Sequence, residues 1–175
     1  MKKVYICSPY RAKDGAELDR NIDYAQQLTR QALEAGLAPI TPHLYMTQCM
    51  DDKKPEERAR GMAAGLTLLK GCDFVIAGVK YGITEGMDRE IHTANTLGIA
   101  VINVSQIKAY MRYEERRQER AASDYAKLHE CKHCYERRLW SLMGYENCCT
   151  ANTCTAAYRR AYEYALSRIR ERQET

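Results

Sequence analysis

Apolar positions along the first hundred residues follow two rhythms. Short runs rich in β-branched residues, Lys3-Val4-Tyr5-Ile6-Cys7, Leu37-Ala38-Pro39-Ile40, Asp73-Phe74-Val75-Ile76-Ala77-Gly78-Val79 and Ile99-Ala100-Val101-Ile102-Asn103-Val104, have the length and composition of buried strands. Between them lie longer stretches with helical spacing. Leu18 to Ala35 sets Ile22, Ala25, Leu28, Ala32 and Leu33 on one face and ends at Gly36, a C-cap residue. A second helix starts at about Pro55, a residue suited to the first helical turn, and runs through Leu66, Leu68 and Leu69 to Gly71. A third runs from about Gly86 to Leu97. Strand and helix alternate, which predicts a parallel sheet of four to five strands wrapped by helices on both faces.

Beyond Ser105 the pattern changes. Tyr110 to Glu130 is charged, with Glu/Arg pairs three and four residues apart, and Thr155 to Arg172 carries Tyr158, Tyr162, Ala165, Leu166 and Ile169 at helical spacing. The chain therefore divides into an α/β domain over residues 1–108 and a cysteine-rich helical extension over 109–175.

Charge alters this picture little. Of the net +4, +3 falls in residues 110–175, 13 Lys/Arg against 10 Asp/Glu, which is too weak and too mixed in sign to indicate nucleic acid; the run reads as a solvated helix face. No apolar run approaches the ~20 residues of a membrane span. Met1-Lys2-Lys3-Val4 enters a strand at once and leaves no room for a signal peptide, so a cytoplasmic location is expected.

Eight cysteines are many for a chain in a reducing compartment, where thiols pack, bind metal or react. Cys7, Cys49 and Cys72 read as small buried hydrophobes. The other five, Cys131, Cys134, Cys148, Cys149 and Cys154, crowd into residues 131–154. Cys131-Lys132-His133-Cys134 is a Cys-x-x-Cys knuckle. Two readings stand side by side: a structural zinc held by Cys131, Cys134, Cys149 and Cys154, or packed and free thiols.

Candidate chemistry gathers where strands end. In an open parallel sheet, ligands sit beyond the carboxyl ends of the strands, among loop amides and helix N-termini. Three such loops carry complementary groups: Ser8, Tyr10 and Arg11 after the first strand, His43 and Tyr45 after the second, and Thr84, Asp88 and Glu90 after the third, where Gly82 and Gly86 permit turns. Hydroxyl, guanidinium and amide donors suit a sugar or a phosphate, and a carboxylate suits attack at, or stabilisation of, a cationic sugar carbon.

Ser8-Pro9-Tyr10-Arg11, the helix around Asn21, Pro42-His43-Leu44-Tyr45, Cys72-Asp73 with its strand, and Gly82-Ile83-Thr84-Glu85-Gly86-Met87-Asp88-Arg89-Glu90-Ile91 resemble the nucleoside 2-deoxyribosyltransferase-like superfamily, in its small bacterial and phage branch. The resemblance covers about residues 3–104. It implies a flavodoxin-like sheet, a homo-oligomer whose subunits complete one another's sites, and chemistry at the N-glycosidic bond of a nucleoside or nucleotide. The family's nucleophilic glutamate maps onto Glu90 when the Glu-Ile-x-x-Ala helix pattern is the anchor, and onto Asp88 when the Gly-Met pair is. Tyr10 would orient the nucleophile; Ser8, Arg11 and Thr84 would hold the sugar or a 5′-phosphate, with Asn21, His43, Tyr45, Gly82, Gly86 and Met87 completing the substrate site. The family's second acid, which handles the proton on the leaving base, would fall near Gly65, in Ala63-Ala64-Gly65-Leu66; the acids in the preceding segment are Asp51, Asp52, Glu56 and Glu57. The expected function is cleavage or transfer at the N-glycosidic bond without a cofactor, so that any zinc would be structural. The alternative is a non-catalytic protein that senses or sequesters a nucleotide in the same pocket.

Overall fold

The structure, a computed structural model, describes the backbone of residues 1–130 and 152–174 and the side chains of residues 1–126 and 159–171. It divides into two compact units, Met1–Tyr110 and Met111–Thr175. The first contains strands β1 (Lys3–Cys7), β2 (Ala38–Ile40), β3 (Phe74–Ala77) and β4 (Ala100–Ile102), with helices α1 (Gly15–Glu34), α2 (Pro55–Lys70) and α3 (Glu85–Thr96). Helix α4 (Ile107–Glu130) begins in the first unit and continues into the second, which also holds α5 (Asn152–Glu174). Short 3-10 turns cover Pro42–Leu44, Met46–Gln48 and Val104–Gln106.

All three strand pairings are parallel and the order is β2-β1-β3-β4, a flavodoxin-like α/β sheet. Its central strands are buried along almost their whole length, which is why they read as unbroken apolar runs. Asp73 joins them at the start, where its carboxylate accepts the backbone N–H of Lys3 at 2.6 Å.

Strand alternation sends Tyr5, Cys7 and Val75 to one face, where they pack with Leu69 of α2 and with Met87 and Ala94 of α3. Val4, Ile6, Phe74 and Ile76 take the opposite face and are equally buried. Connections between parallel strands are right-handed, and the chain moves outward from β1 in one direction and from β3 in the other, so α1 covers the face opposite α3. The buried stripe of α1 is Asn21, Ala25, Leu28 and Ala32, whereas Leu33 is 55% exposed. The apolar set expected from the sequence is thus rotated towards a polar residue, because Asn21 finds partners inside the fold.

Reversal of strand order between β1 and β3 leaves a crevice beyond their carboxyl ends. The loops after β1, β2 and β3 open onto it.

The cysteines Cys131, Cys134, Cys148 and Cys149 lie outside the described residues, and of Cys154 only the backbone, in α5, is described. Among the described residues, Cys7 and Cys72 are buried and Cys49 is exposed, and no cluster of His, Cys, Asp and Glu could hold a metal ion. No helix in the described residues is long and apolar enough to cross a membrane.

Candidate functional site

A cavity of about 120 Å³ occupies the crevice. Its floor is built from β1 and α3. Tyr5 lies in the middle of a central, buried strand, in one core cluster with Leu69, Val75 and Ala94. That hydroxyl donates to Glu90 Oε1 at 2.7 Å. Glu90 sits in the second turn of α3, whose start is set by Thr84: the Thr84 hydroxyl accepts the Met87 N–H at 3.4 Å, an N-cap that fixes where the helix begins. Gly82, at φ 88°, turns the preceding loop through a conformation that a side chain would resist.

Burial raises the pKa of Glu90 above the ordinary carboxylate range; the hydrogen bond from Tyr5 and the nearby Cys7 thiol, which itself donates to the Met87 carbonyl at 3.8 Å, oppose part of that rise. Burial, followed by the charge of Glu90, pushes the Tyr5 hydroxyl and the Cys7 thiol far up, so both remain protonated donors. The floor is therefore one partly desolvated carboxylate with donors arranged to stabilise its ionised form. Gly65 of α2 belongs to the same arrangement. A Cβ at that position would lie 3.0 Å from the Tyr5 hydroxyl, so the helix can approach Tyr5 this closely only without a side chain.

A second polar pair lines the same cavity. Ser8 follows β1 and His43 follows β2; Ser8 Oγ and His43 Nε2 are 2.9 Å apart, and the Tyr10 ring lies 5.8 Å from the imidazole. Burial lowers the pKa of His43 to about 4, so the ring is neutral at neutral pH and can accept as well as donate. Arg11 stands at the rim, exposed, with no acid paired to it among the described residues.

The remaining wall is the segment between β2 and α2 together with the first turns of α2. It contributes Met46, Thr47, Met50, Asp52, Arg58 and Met62. Arg58 Nη1 meets Asp52 Oδ2 at 2.7 Å, and the Thr47 hydroxyl donates to the His43 carbonyl at 2.6 Å. Of the acids preceding Gly65, Asp52 and Glu57 line the cavity and Asp51 and Glu56 do not.

The structure thus gathers Ser8, Tyr10, Arg11, His43, Thr84, Gly86, Met87 and Glu90 round one cavity. It keeps the other expected residues off it. Asp88 is exposed on α3, Tyr45 is 48% exposed, and Gly82 serves the loop's turn. Asn21 is buried and donates its amide to the carbonyls of Tyr10 and Arg11 at 3.4 and 3.3 Å, so it holds the loop that carries those two residues.

The hydroxyl on Glu90 belongs to Tyr5, whereas Tyr10 packs beside His43. Tyr5 had a legible signal: it is the one residue with a polar tip inside an otherwise apolar strand core, and period-two alternation pairs it with Cys7. Met46 and Met50 had none, since the segment between β2 and α2 that carries them is too irregular for periodicity to orient, and nothing in the spacing of α2 marked Arg58 or Met62 as facing a cavity.

Fold and site together define a parallel α/β protein with a switch-point cavity centred on a half-buried carboxylate. Residues 2–104 match the family described as Domain of unknown function (DUF7768), and the chain belongs to that family. No curated protein matches this chain. Among solved structures it is similar to a 2-deoxyribosyltransferase from the psychrotolerant bacterium Bacillus psychrosaccharolyticus, at 22% identity and a TM-score of 0.42, over 57% of this chain and 69% of that one.

Proposed function

We propose that this protein cleaves or transfers the base of a nucleoside or nucleotide at the N-glycosidic bond, with Glu90 as nucleophile. The observation that carries the reading is Glu90 itself, desolvated in the cavity and held by Tyr5 at 2.7 Å. In the reaction a carboxylate oxygen of Glu90 attacks the anomeric carbon. The carbon–nitrogen bond breaks, and the base departs with the electron pair and collects a proton. Water, or a second base, then attacks the same carbon and frees Glu90. Tyr5 positions the nucleophile, and Ser8 with His43 offers hydrogen bonds to the sugar. Arg11 at the rim suits a 5′-phosphate. No cofactor is needed for these steps, and the motif resemblance over residues 3–104 supports the same chemistry.

A second reading has its own observation. No acid stands at Gly65, and of the two acids on the cavity wall Asp52 is bound to Arg58 and Glu57 to Lys54 and the Asp51 N–H. Without an acid for the leaving base, about 10²–10⁴-fold of rate is lost while binding survives. The alternative is therefore a nucleotide-binding protein without turnover.

Incubation of the full chain with nucleosides and 5′-monophosphates, followed by chromatography of free base, separates the two. Release of base, lost by at least ~10³-fold in Glu90→Ala while ligand still raises the melting temperature, is the expected result. Ligand that binds tightly and is recovered intact would leave only the binding reading. A Glu90→Ala variant with full activity would remove Glu90 from the mechanism.

A further inference from the structure

Two of the loops that line the cavity are tied together from outside it. The loop between β1 and α1 carries Tyr10 and Arg11, and the loop between β3 and α3 ends at Thr84. Arg20 of α1 and Tyr81 of the second loop stand apart from the cavity lining and meet each other, with the guanidinium carbon 4.3 Å from the ring centre.

The same guanidinium reaches the first loop through two acceptors. Arg20 Nη2 donates to Glu17 Oε1 at 3.0 Å, while Glu17 Oε2 accepts the Lys13 N–H at 2.8 Å. Arg20 Nη2 also donates to Asn21 Oδ1 at 3.1 Å, and the buried Asn21 amide donates to the carbonyls of Tyr10 and Arg11. On the other side Tyr24 holds the second loop. Its hydroxyl accepts the Lys80 N–H at 3.4 Å, and its ring meets Tyr81 edge-on at 5.1 Å. Gly78 permits that approach, since a Cβ there would lie 2.9 Å from Tyr24 Cε1.

A solvated arginine beside a glutamate ordinarily contributes little. What sets Arg20 apart is that both of its acceptors are themselves bonded to the backbone of the Tyr10–Arg11 loop, while its face rests on the other loop. Arginine suits the place because a planar guanidinium donates within its plane and stacks on a ring at the same time. The Arg20 side chain is 42% exposed and Tyr81 is 38% exposed, so either can be replaced without opening the core.

We infer that Arg20 is a positioning residue that joins the Tyr10–Arg11 loop to the loop leading into Thr84, so that the two sides of the cavity keep one spacing. Its effect on substrate rests on the nucleotide reading of the site; the joint itself does not. Glu90 is held by Tyr5, outside this joint, so Arg20 governs how a substrate is gripped and not the bond-breaking step.

Amide hydrogen exchange of the ligand-free full chain tests the joint. Tyr81→Leu keeps apolar bulk but has no π face, and is expected to speed exchange at the Lys13 amide, on the opposite loop, by about fivefold or more. Tyr81→Trp, which keeps a face for the cation, is expected to stay within about twofold of wild type. An effect of Tyr81→Leu confined to its own loop, or equal effects of Leu and Trp, overturns the inference. Steady-state release of base from 2′-deoxynucleoside 5′-monophosphates tests the consequence. Arg20→Gln and Tyr81→Leu are each expected to raise KM about tenfold with kcat within about threefold of wild type. A fall in kcat at unchanged KM, or no change in either, overturns the positioning role. If the wild type binds these nucleotides without releasing base, the enzyme reading falls and the same tenfold is expected in Kd by calorimetry. If it binds none of them, the nucleotide reading falls, and exchange alone decides the joint.

Discussion

The floor and the far wall of the cavity are made of different material. The floor comes from β1 and α3, elements fixed by sheet register and by an N-cap, and its polar groups form one connected set round Glu90. The far wall comes from short 3-10 turns and the start of α2, and carries thioethers and a partly exposed ion pair. Reactive groups must be held to a fraction of an ångström. The contrast explains why the carboxylate lies on a helix that packs on the sheet.

Replacing Tyr5 by Phe attacks the floor most directly. It removes a hydrogen bond to an ionised group, so activity is expected to fall roughly 10–100-fold with the fold retained. The pH dependence gives the sharper readout. In the proposed reaction Glu90 must be ionised to attack, and its pKa is already raised by burial, so activity is expected to rise with pH through that elevated value. Loss of the Tyr5 hydroxyl raises the pKa further and moves the acidic limb of the profile to higher pH. A Phe variant whose limb stays in place would mean that Tyr5 only packs.

His43, between the two regions, supplies an intermediate effect on stability. Its folded pKa of about 4 lies below the ordinary value of 6.5, so the unfolded chain takes up the proton first as pH falls. The resulting stability is complete above about pH 6.5 and is lost as pH falls towards 4. Melting of wild type and His43→Gln across that window is expected to differ in pH dependence by up to about one proton. Parallel curves would show that another group controls the acid transition.

The smallest effect belongs to the far wall's ion pair. The Arg58 and Asp52 side chains are 22% and 26% exposed, so Arg58→Gln is expected to cost about 1 kcal/mol or less and to change turnover only a few fold. A drop in turnover beyond about 100-fold would move this pair from the wall into the chemistry and weaken the contrast itself.

Much of the α/β unit was legible without coordinates, because strand and helix declare themselves over a few residues. β3 appeared as an unbroken apolar run, α2 began at Pro55 as its position in the first turn predicts, and α3 began within a residue of the expected place. The loops were legible as carriers of chemistry because strand ends in a parallel sheet converge. Which residues of each loop face the cavity was not legible: Tyr10 and Tyr45 look alike in sequence, yet the first lines the cavity and the second is exposed. Asn21 looked like a ligand contact and its amide instead holds the loop backbone.

By itself, then, the sequence determined the alternation of elements, the parallel sheet, and a carboxylate-bearing helix after the third strand. Only the tertiary structure decided that Tyr5 meets Glu90 across 85 positions of chain, that Gly65 leaves room for that meeting, and that the methionines converge on one wall. Periodicity is a local property, set by side-chain sterics within a turn or a pleat. Contacts between distant positions depend on strand register and on how closely helices approach, and no short window of residues contains either.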